Sequence, residues 1–177
     1  MLDDDFAHNP KVSHAALAEL HAGAYGWALS LCGRQPEVAE DVMQQTYLLI
    51  LEGRARYDGA SSLKTWLYGV VRNVARRHAR QRRVRLGLMA RLAGALSDPA
   101  GETGSENTSP RQGIEARLRD AVRGLPARQR EVLELVFDAE FTLAQAAMVL
   151  GISVGAARTH YHRAKTTLRQ RLEAENE

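Results

Sequence analysis

Hydrophobic positions recur at spacings of three and four along most of the chain, and the alternation expected of strands is scarce. The pattern predicts an all-α protein. In the N-terminal half it predicts three main helices. The first covers residues 13–31 and stops near Gly33 and Pro36. The second begins just after Pro36, a good first-turn residue, with Glu37, Glu40 and Asp41 favouring its positive end, and stops near Gly53. The third starts at the Ser61–Ser62 cap, buries Leu63, Leu67, Val70 and Val74, and runs on through a series of arginines. A short separate helix is expected over residues 86–92.

The periodicity fails in GALSDPAGETGSENTSPRQG, where Gly, Ser, Thr, Pro and Asn dominate. This divides the chain into a disordered acidic N-terminus at residues 1–10, a helical domain at 11–92, a flexible linker at 93–113 and a second helical domain at 114–173. The fold expected is therefore two small helical domains joined by a flexible linker. In the second domain, a helix from Ile114 ends at Gly124 and Pro126 opens another. Thr142 and Gln145 then form a T-x-x-Q capping box, Gly151 closes the helix they begin, and Ser153 caps a fourth helix reaching Leu172. A short helix, a glycine turn and a longer capped helix make a helix-turn-helix, whose second helix enters the DNA major groove.

The periodicity also separates faces. On the last helix Val154, Ala157, Tyr161, Ala164, Leu168 and Leu172 form the inward stripe. Ala156, Thr159, His160 and Arg163 project outward, with Arg158, His162 and Lys165 beside them and Ser153 at the cap. These side chains offer donors and charge to base edges and phosphates. On the second helix Val42, Met43, Thr46, Leu49 and Ile50 share one side. Asp41, Gln44, Gln45 and Leu48 share the other, and an apolar residue ringed by polar ones suits a protein contact.

Charge sharpens the picture. The net charge is only +3, yet Arg72, Arg76, Arg77, Arg80, Arg82, Arg83, Arg85 and Arg91 follow one another with no Asp or Glu between them. A run of one sign indicates a polyanionic partner. Asn73 lies beside these arginines, and Lys64, Trp66, Tyr68 and the loop RARYDGAS add aromatic planes suited to unpaired bases. Core filling is the stronger expectation for Trp66.

Composition excludes several other classes. A hydrophobic fraction of 45% argues against wholesale disorder. No apolar run approaches the roughly 18 residues of a membrane span, so no membrane insertion is expected, and MLDDDFAHNPK has no signal-peptide character. The single Cys32, expected to be a buried thiol, excludes an internal disulfide and a cysteine-rich zinc site. Together these features place the chain in the cytoplasm. His160 and His162 sit about 200° apart around a helix and cannot grip one ion, so neither a metal nor another cofactor is expected.

Taken with their order, these segments resemble the small bacterial sigma factors of the extracytoplasmic-function type. AEDVMQQTYLLIL resembles that family's polymerase clamp-binding segment. SSLKTWLYGVVRNVARRHARQRR resembles its promoter-melting helix, and LPARQREVLELVFDAEFTLAQAAMVLGISVGAARTHYHRAKTTLRQRL its helix-turn-helix domain. The resemblance implies a transcription initiation factor, not an enzyme. Its partners would be core RNA polymerase, promoter DNA and a separate anti-sigma factor. It assigns Asp41, Gln44, Gln45 and Leu48 to the polymerase clamp. Arg56, Tyr57, Asp58, Ser61, Lys64, Trp66, Arg72, Asn73, Arg76, Arg77 and Arg80 go to the −10 region, with the loop from Arg56 to Ser61 capturing an extruded base. The last helix would read the −35 element. Ala156, Ala157, His160 and Tyr161 depart from the family's usual residues, which alters the expected base preferences. Two other readings remain open: a sigma mimic that sequesters an anti-sigma factor, and a stand-alone helix-turn-helix regulator.

Overall fold

The computed structural model describes residues 9, 11–93 and 110–174. Among them are seven helices and no strand: α1 (His14–Leu31), α2 (Pro36–Leu51), α3 (Leu63–Ala93), α4 (Pro110–Arg123), α5 (Ala127–Phe137), α6 (Leu143–Leu150) and α7 (Val154–Ala174). The expected linker and acidic N-terminus fall largely outside the described residues.

Local chemistry sets the helix ends. The Ser13 hydroxyl accepts from the Ala16 amide and starts α1. Pro36 sits in the first turn of α2. Ser62 Oγ accepts from the Thr65 amide at 3.1 Å and starts α3. The Thr142–Gln145 capping box is closed in both directions. Gly151, at φ 60° and ψ 43°, ends α6 in the left-handed conformation that glycine adopts without a Cβ clash.

Two boundaries differ from expectation. Residues 86–92 continue α3 instead of forming a separate helix, because the arginines and leucines there are strong helix formers and a lone glycine does not break the ladder. Helix α4 begins at Pro110, ahead of Ile114, since proline is accepted in a first helical turn.

The first half of α3 is the mast of the N-terminal module. Its Leu67, Tyr68, Val71 and Val74 are buried against Trp27 and Ala28 of α1 and Val42, Met43 and Ile50 of α2, while Leu63 and Val70 are only half-buried. The indole of Trp27 donates to the Tyr68 carbonyl at 3.2 Å. Beyond Ala75 almost every side chain of α3 through Leu86 is exposed. The C-terminal module has its own small core of Leu125, Leu133 and Ala164, with Val122, Tyr161 and Leu168 packed on it. Of the expected inward stripe, Val154, the first residue of α7, is 39% exposed.

The two modules dock. One hydrophobic cluster runs from α1, α2 and α3 into Val132, Leu135, Phe141, Ala146, Val149 and Leu150. Phe141 meets the Tyr68 ring edge-on, with centroids 5.0 Å apart. Fully burying a side chain such as Leu135 or Leu150 is worth about 1.5–3 kcal/mol. This docking decides which of the charged residues remain free.

Candidate nucleic-acid interface

The arginines of α3 divide into two sets. Arg76, Arg77 and Arg80 are exposed, as is Asn73. Arg72 is 2% exposed. Its Nε and Nη2 both donate to Glu131 Oε2 of α5, at 3.2 and 3.0 Å, and Arg128 Nη1 donates to the same oxygen at 3.1 Å. Lys64 is also taken: its Nζ donates to the Ala139 carbonyl at 2.7 Å and lies 5.0 Å from the Phe141 ring. Two cations expected to face DNA are thus held by the C-terminal module, because docking places carboxylate and carbonyl acceptors in front of them.

The contact has a second carboxylate. The Ser30 hydroxyl of α1 donates to Glu134 Oε2. Burial pushes the Glu134 carboxyl above its ordinary range, against the pull of that hydrogen bond and of Arg130. Burial likewise pushes Glu131 up, opposed by Arg128, Arg76, Arg130 and His160. Both carboxylates line a cleft of about 940 Å³ whose opposite wall carries Arg76, Arg80 and Arg83.

The loop between α2 and α3 holds its shape through side-chain bonds. Tyr57 Oη donates to the Ser61 carbonyl at 2.6 Å, and the Trp66 indole donates to the Arg56 carbonyl at 3.0 Å. The Tyr57 and Trp66 rings lie 5.3 Å apart and tilted. Trp66 is half-buried against the core, so core filling and ring contact coexist there. Asp58 Oδ1 accepts from the Ala60 amide at 2.9 Å. Arg56 and Asp58 stay exposed at the tip, and Ser61 is half-buried.

On α2, Asp41, Gln44, Gln45 and Leu48 are all exposed, Leu48 by 49%. They line a groove of about 500 Å³ between α2 and α3, with Arg54, Arg77, His78 and Gln81 opposite. Arg77 therefore sits at the edge of the α2 surface.

On α7 the exposed face centres on Gly155, Arg158, Thr159, His162 and Arg163. Ala156 and His160, expected to point outward, are half-buried flank residues. The Ser153 hydroxyl accepts from the Ala156 amide, and the Thr159 hydroxyl donates back to the Gly155 carbonyl, so both are engaged within the helix. Lys165 Nζ lies 5.6 Å from the Tyr161 ring. Cys32 is half-buried, and burial pushes its thiol up.

Comparisons with known proteins identify the family. The sigma-70 region 2 model matches residues 17–85 and the sigma-70 region 4 model matches residues 115–168. The chain is 33% identical over 138 residues to the ECF RNA polymerase sigma factor SigF of Caulobacter vibrioides, covering 77% of this chain and 72% of that protein. It is 30% identical over 155 residues to EcfG of Rhodopseudomonas palustris, covering 87% and 79%. The chain belongs to the extracytoplasmic-function (ECF) sigma factors. The fold is similar to that of the sigma factor RpoE from Bartonella quintana, solved with the anti-sigma factor NepR, at a TM-score of 0.66 and 24% identity over 90% of this chain and 95% of that one.

As an ECF sigma factor, the chain is a transcription initiation factor that directs RNA polymerase to promoters. Region 2 takes in α1, α2 and most of α3, and region 4 takes in the helix-turn-helix. The docked contact between them is the feature the sequence pattern did not announce. Among the described residues no group of His, Cys, Asp or Glu is placed to hold a metal, and no helix is long and apolar enough to cross a membrane.

Proposed function

We propose that this sigma factor divides its work among three exposed faces and must undock its two modules to use them. The α2 face of Asp41, Gln44, Gln45 and Leu48 binds the polymerase clamp. The α3 face and the loop from Arg56 to Ser61 engage the −10 element, the loop taking up an extruded base. The face of α7 reads the −35 element. The carrying observation is the burial of Arg72 and the capture of Lys64 by the C-terminal module. Both belong to the −10 set, so promoter engagement requires them to be released.

The protein performs no covalent chemistry, which the polymerase supplies, and it works in the cytoplasm. A separate anti-sigma factor holds it in check. The complex of the similar Bartonella protein with NepR supports that partner. Run-off transcription with purified core polymerase tests the whole reading. Promoter-specific transcripts are expected, and their absence across a genomic library refutes it in favour of a mimic.

Two substitutions probe the faces. Gln45→Ala with Leu48→Ala removes an exposed apolar contact and its polar neighbour. Core-polymerase affinity in a pull-down titration should fall by about 1–3 kcal/mol, with the helical circular-dichroism signal unchanged. Unaltered affinity removes α2 from the interface. On α7, His160→Ala should shift the selected −35 sequence while leaving −10 preference alone. An unchanged selected motif leaves the reading to Arg158, Thr159, His162 and Arg163, which face outward more fully.

A further inference from the structure

Asn9 is the one residue of the acidic stretch at 1–10 that carries an amide side chain, and it is 1% exposed. Burying an amide is unfavourable unless its donors and acceptor are all satisfied. Here they are. Nδ2 donates to the Ile50 carbonyl at 2.9 Å and to the Ala55 carbonyl at 3.0 Å, and Oδ1 accepts from the Tyr57 amide at 2.8 Å. One side chain thus joins the C-terminal turn of α2 to two points of the loop that precedes α3.

The neighbouring residues extend the same clasp. The Val12 amide donates to the Asn9 carbonyl at 2.8 Å, and Val12 is buried in the main core, which fixes where Asn9 sits. Lys11 Nζ donates to the Asp58 carbonyl at 3.2 Å. Gly59, at φ +83°, passes so close that a Cβ there would lie 3.1 Å from Lys11 Nζ. The loop between Gly53 and Ser61 has no helix or strand of its own, so these bonds, together with those of Tyr57, Asp58 and Trp66, set its conformation. The Asn9 bonds approach from the inner side, the Lys11 bond lies at the surface, and Arg56 and Asp58 stay exposed at the tip.

A loop that receives an extruded base discriminates well only if its groups are already in place, because ordering it upon binding subtracts from the affinity for the right base. We infer that Asn9 is a positioning residue for base capture, presetting the Gly53–Ser61 loop from behind and thereby setting its discrimination among bases. The inference rests on the proposed role of that loop. Asn9 itself touches no DNA.

The test uses the full chain assembled with core polymerase. Open-complex formation is measured on promoters carrying each of the four bases at the extruded −10 position, and on −35 variants. With Asn9→Ala, discrimination at that −10 position should fall about tenfold, the scale of one to two hydrogen bonds moved from folding to binding. Preferences at −35 and affinity for core polymerase should stay within about twofold. Trp66 reports the loop directly. In a Trp27→Phe background its emission should shift in Asn9→Ala, since its indole bonds the Arg56 carbonyl.

Two further variants close the remaining escapes. Asn9→Asp keeps the acceptor for the Tyr57 amide but turns an acidic oxygen toward two carbonyls, and should lose discrimination as Asn9→Ala does. Lys11→Met alters an exposed side chain that folding does not require, and should lower discrimination at the same position by a smaller factor. Loop substitutions Arg56→Ala and Asp58→Ala serve as the reference. If they change base preference and the Asn9 and Lys11 variants do not, the positioning role is overturned and base capture stands. If the loop substitutions change nothing at any −10 base, both readings fall together. A uniform loss at −10, −35 and polymerase binding alike makes Asn9 an ordinary structural anchor and overturns the proposal.

Discussion

Replacing Glu131 by Ala should open the protein. The substitution leaves the Arg72 guanidinium 2% exposed with neither of its donors on an anion. Removing one partner of a buried pair costs about 3–5 kcal/mol, because the remaining charge is stranded away from water. The chain has an easier course, which is to undock and hydrate Arg72. A fluorescence-transfer pair on exposed positions, Ala18→Cys in α1 and Thr166→Cys in α7 with Cys32→Ser, should report a large fall in transfer efficiency. An unchanged efficiency would show that the hydrophobic contact around Tyr68 and Phe141 holds the modules together without the ion pair. Glu131→Gln separates charge from shape: it still accepts a hydrogen bond from Arg72, and should open the protein less than Ala does.

The functional consequence has a definite sign. If only the open form engages polymerase and promoter, the apparent affinity of the free protein is reduced by the fraction that is open. Destabilising closure by about 3 kcal/mol raises that fraction by roughly two orders of magnitude while it remains small. Glu131→Ala should therefore bind core polymerase more tightly, although it touches neither polymerase nor DNA in the proposed complex. The same change in Arg72 acts differently. Arg72→Ala also breaks the contact, but removes a cation of the proposed −10 face, so tighter polymerase binding should come with weaker promoter engagement. That contrast distinguishes a lock from a general loss of stability, which would weaken both.

How far the sequence pattern carries is clear from particular residues. Thr142, Gln145, Gly151 and Ser153 announce their roles because capping and the left-handed turn are local chemistry. The outward set on α2 is also legible, since helical periodicity alone separates Leu48 from Met43 and Ile50. Arg72 is not. It stands in the same row as Arg76 and Arg80, and only the docking of α5, 59 residues further along the chain, turns it from a solvated cation into a buried one. Lys64 is hidden for the same reason, its acceptor being 75 residues away. On α7 a periodic stripe gives the inward direction within about a third of a turn, which is too coarse to rank His160 against His162. Asn9 carries no periodic signal whatever. A single amide in an acidic stretch gains meaning only when the carbonyls of Ile50 and Ala55 are seen to converge on it.

The exposed arginines should behave as the buried one cannot. Arg76 and Arg80 lie one helical turn apart on the exposed wall of the cleft between α3 and α5, and once the modules part each is free to meet a phosphate. Every phosphate contact releases condensed counterions, so its loss lowers the slope of log affinity against log salt by about 0.7–0.9. Arg76→Ala with Arg80→Ala should thus flatten the slope for promoter complexes by roughly 1.4–1.8. At 0.1 M salt it should weaken them by on the order of thirty- to sixtyfold, the same release counted over one decade of concentration. Arg76 also helps to hold Glu131 ionised, so its removal bears on closure as well. Measuring the preassembled holoenzyme takes that contribution out, because the modules are already apart. Arg76→Lys with Arg80→Lys keeps both charges and should restore the slope, even if the affinity returns only in part, since a lysine lacks the planar fork that grips a phosphate twice. A double alanine variant with an unaltered salt slope would mean that this stretch of α3 does not lie along the DNA backbone. The promoter contact would then have to be sought on the arginines farther along the helix, from Arg82 to Arg85.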